Sequence, residues 1–569
     1  MITERNTVFC TFALFVAIST AHAQRSSIAS APTFSNSTHK NGIEQHRVYC
    51  LDRFETKQLS EKSVLASNGF LLSGEGKVLA REHAKQFENL AYRGIGSCSI
   101  WSPLFSIATS TNVFFTGVPL VTPDKEVLYY WDQSGSSYDY VRARKSTDHV
   151  GTWANEVILS GNTVDVSQPE GIVDSDGVAT IVFRETGSPY KLWSIRQSPF
   201  GNWQQPQVAH ATAQFFQAIE IASDDQGSTI VITDEGGMEP EVHSLVFDSI
   251  TGSWSAPTRV SQVGQFCLLP TLAQNDSGSV VYLLYIVKSG GEYGMYAHLW
   301  MSEEQEWGEA MLLPGTSSVS YYMVGQHSEF PLVVGNDGEV TVFWQGIEND
   351  VATLFASRTL GGDWQTPHEL LPPNSNILAL DLENFSHADA SDRGDVMGTF
   401  TRYNGNGGEL FVAHYDVDAG WREIASPLTV PHTWTVESRG VFHYGERAMA
   451  MTSGSAGDVI AMRSTGQGWI EGEIDIPGSS EAWTKALVSV EGSVLFSYKS
   501  GGIKTTWFEY VIGDANCDQV VDVSDLLEVV SYLGFCEDPN IDCPADFDGN
   551  GVVDVGDLLL VVDRWGSGI

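Results

Sequence analysis

The residues with the clearest chemistry lie near the C-terminus. Asp514, Asn516, Asp518, Asp522 and Asp525 occupy positions 1, 3, 5, 9 and 12 of one stretch, and Asp546, Asp548, Asn550, Asp554 and Asp557 repeat that spacing 32 residues later. Alternating oxygen donors on a tight loop suit calcium, a hard cation that gathers six to eight oxygens. Position 7 offers a backbone carbonyl, from Val520 and Val552, and position 9 acts directly or through water. Position 8 is apolar in both copies, Val521 and Val553, and is expected to pack between the loops. Gly551 suits the sharp turn at position 6, where the first loop has Gln519. An acidic solvated tail would explain neither the donor spacing nor the apolar residues at positions 8, 13 and 14. Two calcium ions are the expected cofactors.

Each loop runs into an apolar helix start, Asp525-Leu526-Leu527-Glu528-Val529-Val530 and Asp557-Leu558-Leu559-Leu560-Val561-Val562. With Asp rather than Glu at position 12, residues 513–566 resemble a type I dockerin repeat pair. The resemblance implies a small α-helical EF-hand-like module over 513–569. It also implies a partner, a cohesin-like module or a cell-surface component, because dockerins attach polysaccharide-degrading enzymes to larger assemblies. Positions 10 and 11, often hydroxyl residues at the family's partner contacts, are Val523-Ser524 and Val555-Gly556 here. The tail is therefore either a docking element or an anchoring and stabilising one.

The body of the chain repeats itself. Tryptophans stand at Trp101, Trp153, Trp203, Trp254, Trp307, Trp364, Trp421 and Trp469, spaced by 52, 50, 51, 53, 57, 57 and 48 residues. Turn glycines precede or open β-rich runs at Gly177, Gly227, Gly278, Gly338, Gly394, Gly445 and Gly492, and four of them fall 24 residues after the preceding tryptophan. Counting 24 from Trp101 reaches Lys125, inside a turn that lacks its glycine. Turns flanked by β-branched and aromatic residues predict hairpins. Each unit then holds a hairpin, a third strand and a Trp-led fourth strand, and such units stacked around an axis form a β-propeller over 98–511. The last unit lacks a Trp-led strand, and residues 101–107 are expected to supply it, giving eight blades; seven follow if Trp101 or one hairpin lies outside the ring.

Ser146-Thr147-Asp148-His149-Val150-Gly151-Thr152-Trp153 resembles the Asp-box turn of sialidase-like propellers, with its glycine one place late. That family's site uses an arginine triad, a Tyr nucleophile with a Glu, and a carboxylic acid/base, and no order of residues here reproduces it. Arg144, Arg196, Arg358 and Arg463 fall six to nine residues before a repeat tryptophan, a regularity that favours a structural role on each third strand. A lyase or hydrolase site would draw on His327, Tyr321, Tyr322, His432 or His443 as base, with Arg to neutralise a uronate. The repeat tryptophans are expected in the core, whereas Trp131 and Trp344 are the better candidates to reach the central channel.

Arg5, an apolar run over 8–18 and Ala21-His22-Ala23 read as an export signal over 1–23, so a secreted, extracellular protein is expected. No later apolar run reaches the length of a transmembrane helix. A formal net charge of −40 argues against a nucleic-acid partner. Residues 24–97 form an N-terminal leader of no assigned role, with a short helix expected over 78–92. One disulfide is expected among Cys517, Cys536 and Cys543, and Cys50 with Cys98 is a second possibility. Two functions remain open. The propeller binds or degrades an extracellular polysaccharide, as a glycoside hydrolase or polysaccharide lyase if it is an enzyme, or it is a non-catalytic binding or surface protein with a calcium-stabilised tail.

Overall fold

The computed structural model describes residues 64–65, 71–72 and most of 99–566; the larger stretches outside the description in that span are 147–151, 317–330, 372–386, 404–407, 431–434, 455–458, 465–468, 470–473, 476–482 and 537–542. The export signal, the helix expected over 78–92, Cys50, Cys98, Cys517, Asp518, Tyr321, Tyr322, His327, His432 and the turn glycines Gly445 and Gly492 lie outside the described residues. The chain divides into two compact units, Met1–Ser97 with Asp522–Leu527, and Cys98–Val521 with Glu528–Ile569. In the first, Val64–Leu65 pairs antiparallel with Leu71–Leu72. All the larger sheets belong to the second.

Among the described residues those sheets are eight in number, each built on a path of four antiparallel strands, so the second unit is built on an eight-bladed β-propeller. The third blade shows the pattern, with Phe216–Ser223, Thr229–Glu235, Glu241–Asp248 and Ser253–Trp254 side by side. The eighth blade takes strands from both ends of the propeller. Trp483–Val490, Ser493–Lys499 and Ile503–Tyr510 are completed on the outside by Ser99–Trp101, and Phe105–Ala108 also pairs with Ile503–Tyr510. The N-terminal contribution expected from the repeat phase is thus present.

Second strands are continuous apolar runs because neighbouring blades cover both faces. In the first blade Val127, Leu128, Tyr129, Tyr130 and Trp131 are all buried. Hydrophobic clusters fill all eight junctions between successive blades, including that of the eighth with the first, where Leu495, Ile503 and Trp507 meet Tyr129 and Trp131. The repeat tryptophans pair with the end of each third strand, as Trp254 does with Phe247 and Trp421 with Tyr415, or bridge the residue just after it, as Trp153 does with Ser146. Seven of them, from Trp153 to Trp469, pack into the cluster their blade shares with the preceding one.

The hairpin turns pack in the same head-to-tail sense. Gly177, Gly227, Gly278, Gly338 and Gly394 all have positive φ, between 69° and 93°. A Cβ added at Gly278 would come within 2.8 Å of the Asp224 backbone in the preceding blade. Lys125 holds the same place in the first blade with φ 63°, its N–H donating to Thr122 O at 2.8 Å as Gly177 N–H does to Asp174 O at 2.9 Å.

Among the described residues after the propeller are two helices, α1 (Val523–Tyr532) and α2 (Val555–Asp563), and a ladder between Gly534–Phe535 and Val552–Val553. Cys536 and Cys543 form a disulfide, and Cys267 is a buried free thiol. Among the described residues no helix is long and apolar enough to cross a membrane.

Candidate metal centre

The second acidic loop is wound by its own backbone. Asp546, at position 1, accepts from Gly549 N–H and Gly551 N–H, both at 3.0 Å. Asp548 accepts from Asn550 N–H at 3.1 Å, and the Asn550 side-chain oxygen accepts from Val552 N–H at 2.8 Å. Gly549 and Gly551 make the turn possible with φ of 76° and 82°. Asp554 then caps α2, accepting from Gly556 N–H at 2.6 Å, while Asp557 accepts from Asp554 N–H at 2.9 Å, a reciprocal capping box. The other Asp557 oxygen turns back into the loop and accepts from Phe547 N–H at 2.6 Å.

This winding brings carboxylate oxygens of Asp546, Asp548 and Asp557 within 4.8 Å of one another. Asp546 and Asp557 are buried. Burial and the neighbouring carboxylates raise the carboxyl pKa of Asp546, with the nearby Arg447 charge acting in the opposite direction. Burial likewise raises that of Asp557, against the N–H donors of Asp554 and Phe547. Converging hard oxygens crowded enough to resist ionisation fit a divalent cation, which removes that repulsion on binding.

The first loop ends in the same way. Asp525 accepts from Asp522 N–H at 2.8 Å, and Asp522 accepts from Ser524 N–H at 2.8 Å. Asp514 and Asp525 are buried, whereas Val520 is exposed. Val521 and Val553, the position-8 residues, are buried as expected. Among the described residues the trio of converging carboxylates is that of the second loop alone.

Two supports of this loop were not visible in the local sequence pattern. Cys536, bonded to Cys543, donates its N–H to Gly551 O at 3.0 Å. Arg447, from the seventh blade, donates to the carbonyls of Asp546 and Cys543. Nothing in the spacing around Arg447 pointed to a contact 96 to 99 residues away.

No family model and no curated protein matches the chain. Solved structures resemble it weakly. The Dos1 propeller aligns at TM-score 0.44 and 11% identity over 72% of this chain and 95% of its own. A polysaccharide lyase, ulvan lyase, aligns at 0.39 and 11% over 60% and 92%. The NanB sialidase of Streptococcus pneumoniae aligns at 0.34 and 10% over 71% and 69%. The eight-bladed assignment stands on this chain's own strand pairings.

In the propeller, the third-strand arginines are engaged in structural contacts. Arg196 pairs with Asp174, donates to Thr229 Oγ1 at 2.7 Å and lies over the Phe247 ring of the next blade. Arg358 pairs with Asp337 and lies over Tyr415. Arg144 donates to the carbonyls of Ser106 and Ile107 at 3.1 Å, and Arg463 is buried. The channel placement expected of Trp131 and Trp344 is wrong: both are fully buried at blade junctions, because second strands are covered on both faces. A polar cluster that sequence reasoning missed lies at the second and third blades, where Glu235 accepts from His210 Nε2 at 2.8 Å and Thr212 Oγ1 at 3.0 Å, with His243 at 3.7 Å. Burial raises the Glu235 pKa, but these partners outweigh it and hold the carboxyl below its usual range, which suits a fixed acceptor rather than a proton donor.

Proposed function

We propose that this chain is a secreted protein whose eight-bladed propeller engages an extracellular polysaccharide and whose C-terminal segment is a dockerin-like, calcium-binding tail. The observation that carries the calcium reading is the convergence of Asp546, Asp548 and Asp557 in a loop of the expected spacing. Asp546, Asp548, Asn550, Val552, Asp554 and Asp557 would hold one ion, and Asp514, Asn516, Asp518, Val520, Asp522 and Asp525 the second. When bound, calcium supplies charge neutralisation and ties each loop to its following helix through position 12.

An outward stripe on α2 supports a docking role. Val555, Leu559 and Val562 lie on one helical face and are all exposed. A cohesin-like module or a cell-surface component would cover that stripe.

For the propeller, the second reading is a non-catalytic binding module. It is favoured by Arg196 and Arg358, which are engaged by Asp174 and Asp337, and by Trp131 and Trp344, which are packed in the core. A panel of acidic and neutral polysaccharides tests both readings. Retention without release of reducing ends or unsaturated uronates supports binding alone, release of either supports an enzyme, and no retention rejects polysaccharide engagement. Calorimetric titration of the full chain tests the tail, with two ions bound per chain expected and none rejecting it.

A further inference from the structure

The seventh blade reaches into the second acidic loop. Its second strand, Arg447–Gly454, begins with a fully buried arginine. The Arg447 guanidinium donates through Nε to Asp546 O at 3.1 Å, and through Nη2 to that same oxygen and to Cys543 O at 3.1 Å. Cys543 O also accepts from Asp546 N–H at 3.0 Å, so the arginine clasps the turn that launches the position-1 residue. The Asp546 carboxylate oxygens are engaged separately, by Gly549 N–H and Gly551 N–H. The guanidinium therefore grips the loop by its backbone.

A buried guanidinium is costly unless its donors are met, and a charge-assisted bond is about twice as strong as a neutral one. Loosening the turn at 543–546 would take these carbonyl acceptors away from the buried Arg447. Loosening the blade would likewise free the loop. We propose that Arg447 is a positioning residue for the second calcium loop, so that ion binding and the seventh blade stabilise each other. The proposal rests on the calcium reading above. Linkage requires the coupling to run both ways: calcium tightens the propeller, and the propeller pre-forms the site.

The test uses the full chain, wild type and Arg447→Met, with Arg447→Lys as a milder variant that keeps the charge but loses the fork. In wild type, millimolar calcium should raise the melting temperature of the main, propeller-dominated transition. In Arg447→Met that shift should shrink, and one of two ions should bind about ten- to a hundredfold more weakly, the usual cost of removing a support behind a metal ligand. Should Arg447→Met fold poorly, Asp548→Asn reports from the other side by abolishing part of the calcium-induced shift in a variant whose blades are untouched. Amide exchange at Gly549 and Gly551 in chelator separates the two claims. Faster exchange in Arg447→Met and Arg447→Lys, with no calcium response in wild type, would sustain the support by Arg447 and reject the calcium reading. Wild-type ion affinity, thermal shift and exchange in Arg447→Met would overturn the proposal.

Discussion

Trp101 stands opposite Phe508 in the antiparallel register that joins the first strand of the propeller to its last. Next to that pair, Ser102 Oγ accepts from Trp507 N–H at 2.9 Å, and Ser102 N–H donates to Trp507 O at 2.9 Å. Ser102→Ala would leave the Trp507 N–H short of a buried acceptor. A loss of about 1–3 kcal/mol in unfolding free energy is expected by denaturant titration. A larger loss is expected on deleting the strand itself, which would open the ring.

Lys125 carries the positive φ that glycine holds in the equivalent turns. Lys125→Gly should raise stability by up to about 1 kcal/mol, because the left-handed conformation costs a side-chain-bearing residue roughly that much. Gly278→Ala should do the reverse and cost about 2–4 kcal/mol, since its φ is 69° and its Cβ would meet the Asp224 backbone at 2.8 Å. Thermal melts of the two variants beside wild type decide both.

His414 ties the sixth blade to acid sensitivity. Its ring lies 5.8 Å from Phe442 of the seventh blade, with Nε2 shut away from solvent and unbonded. Burial, then the Arg422 charge, lower its pKa from 6.5 to about 4. The folded state therefore favours the neutral ring, so this contribution is intact above pH 6.5 and is lost as pH falls towards 4. The loss should be on the order of 3 kcal/mol. His414→Leu should narrow the difference between urea midpoints at pH 7 and pH 4.5, and an unchanged difference would assign the acid loss to other groups.

Asp557 is at once a cap partner of α2 and a member of the carboxylate trio. Asp557→Asn removes a charge from the proposed ion site while retaining an oxygen. Calcium affinity at one of two sites should fall roughly tenfold or more, since ligand charge count tunes such loops over decades. Chelation of wild type should lower helicity by far-ultraviolet dichroism, and the variant should show a smaller change.

Much of this architecture was legible because a repeat exposes the same requirement many times. The Trp period marked the outer strands, and the glycine period marked turns that demand positive φ, closely enough to place Lys125 where the glycine was missing. In the second loop three of the carboxylates marked by their spacing converge, since loop ligands are local in sequence. Burial along the second strands was not legible in the same way. Alternation distinguishes faces only when one is wet, and Leu128 and Tyr129 are equally buried, so nothing marked Trp131 as core rather than channel. The Arg447 clasp was invisible for a different reason: a contact across 99 residues leaves no periodic trace.

The seam between the chain ends has a consequence for biosynthesis. Ser102 and Trp507 are separated by 405 residues, so the clasping segment leaves the ribosome long before its partner is translated. Until then the first blade presents Tyr129 and Trp131 to the cellular milieu, since the eighth-blade side chains that cover them do not yet exist. Such late, long-range pairing is slow and exposes sticky surface. Cotranslational chaperone occupancy should therefore persist through the seventh blade and fall only after Tyr510 has emerged.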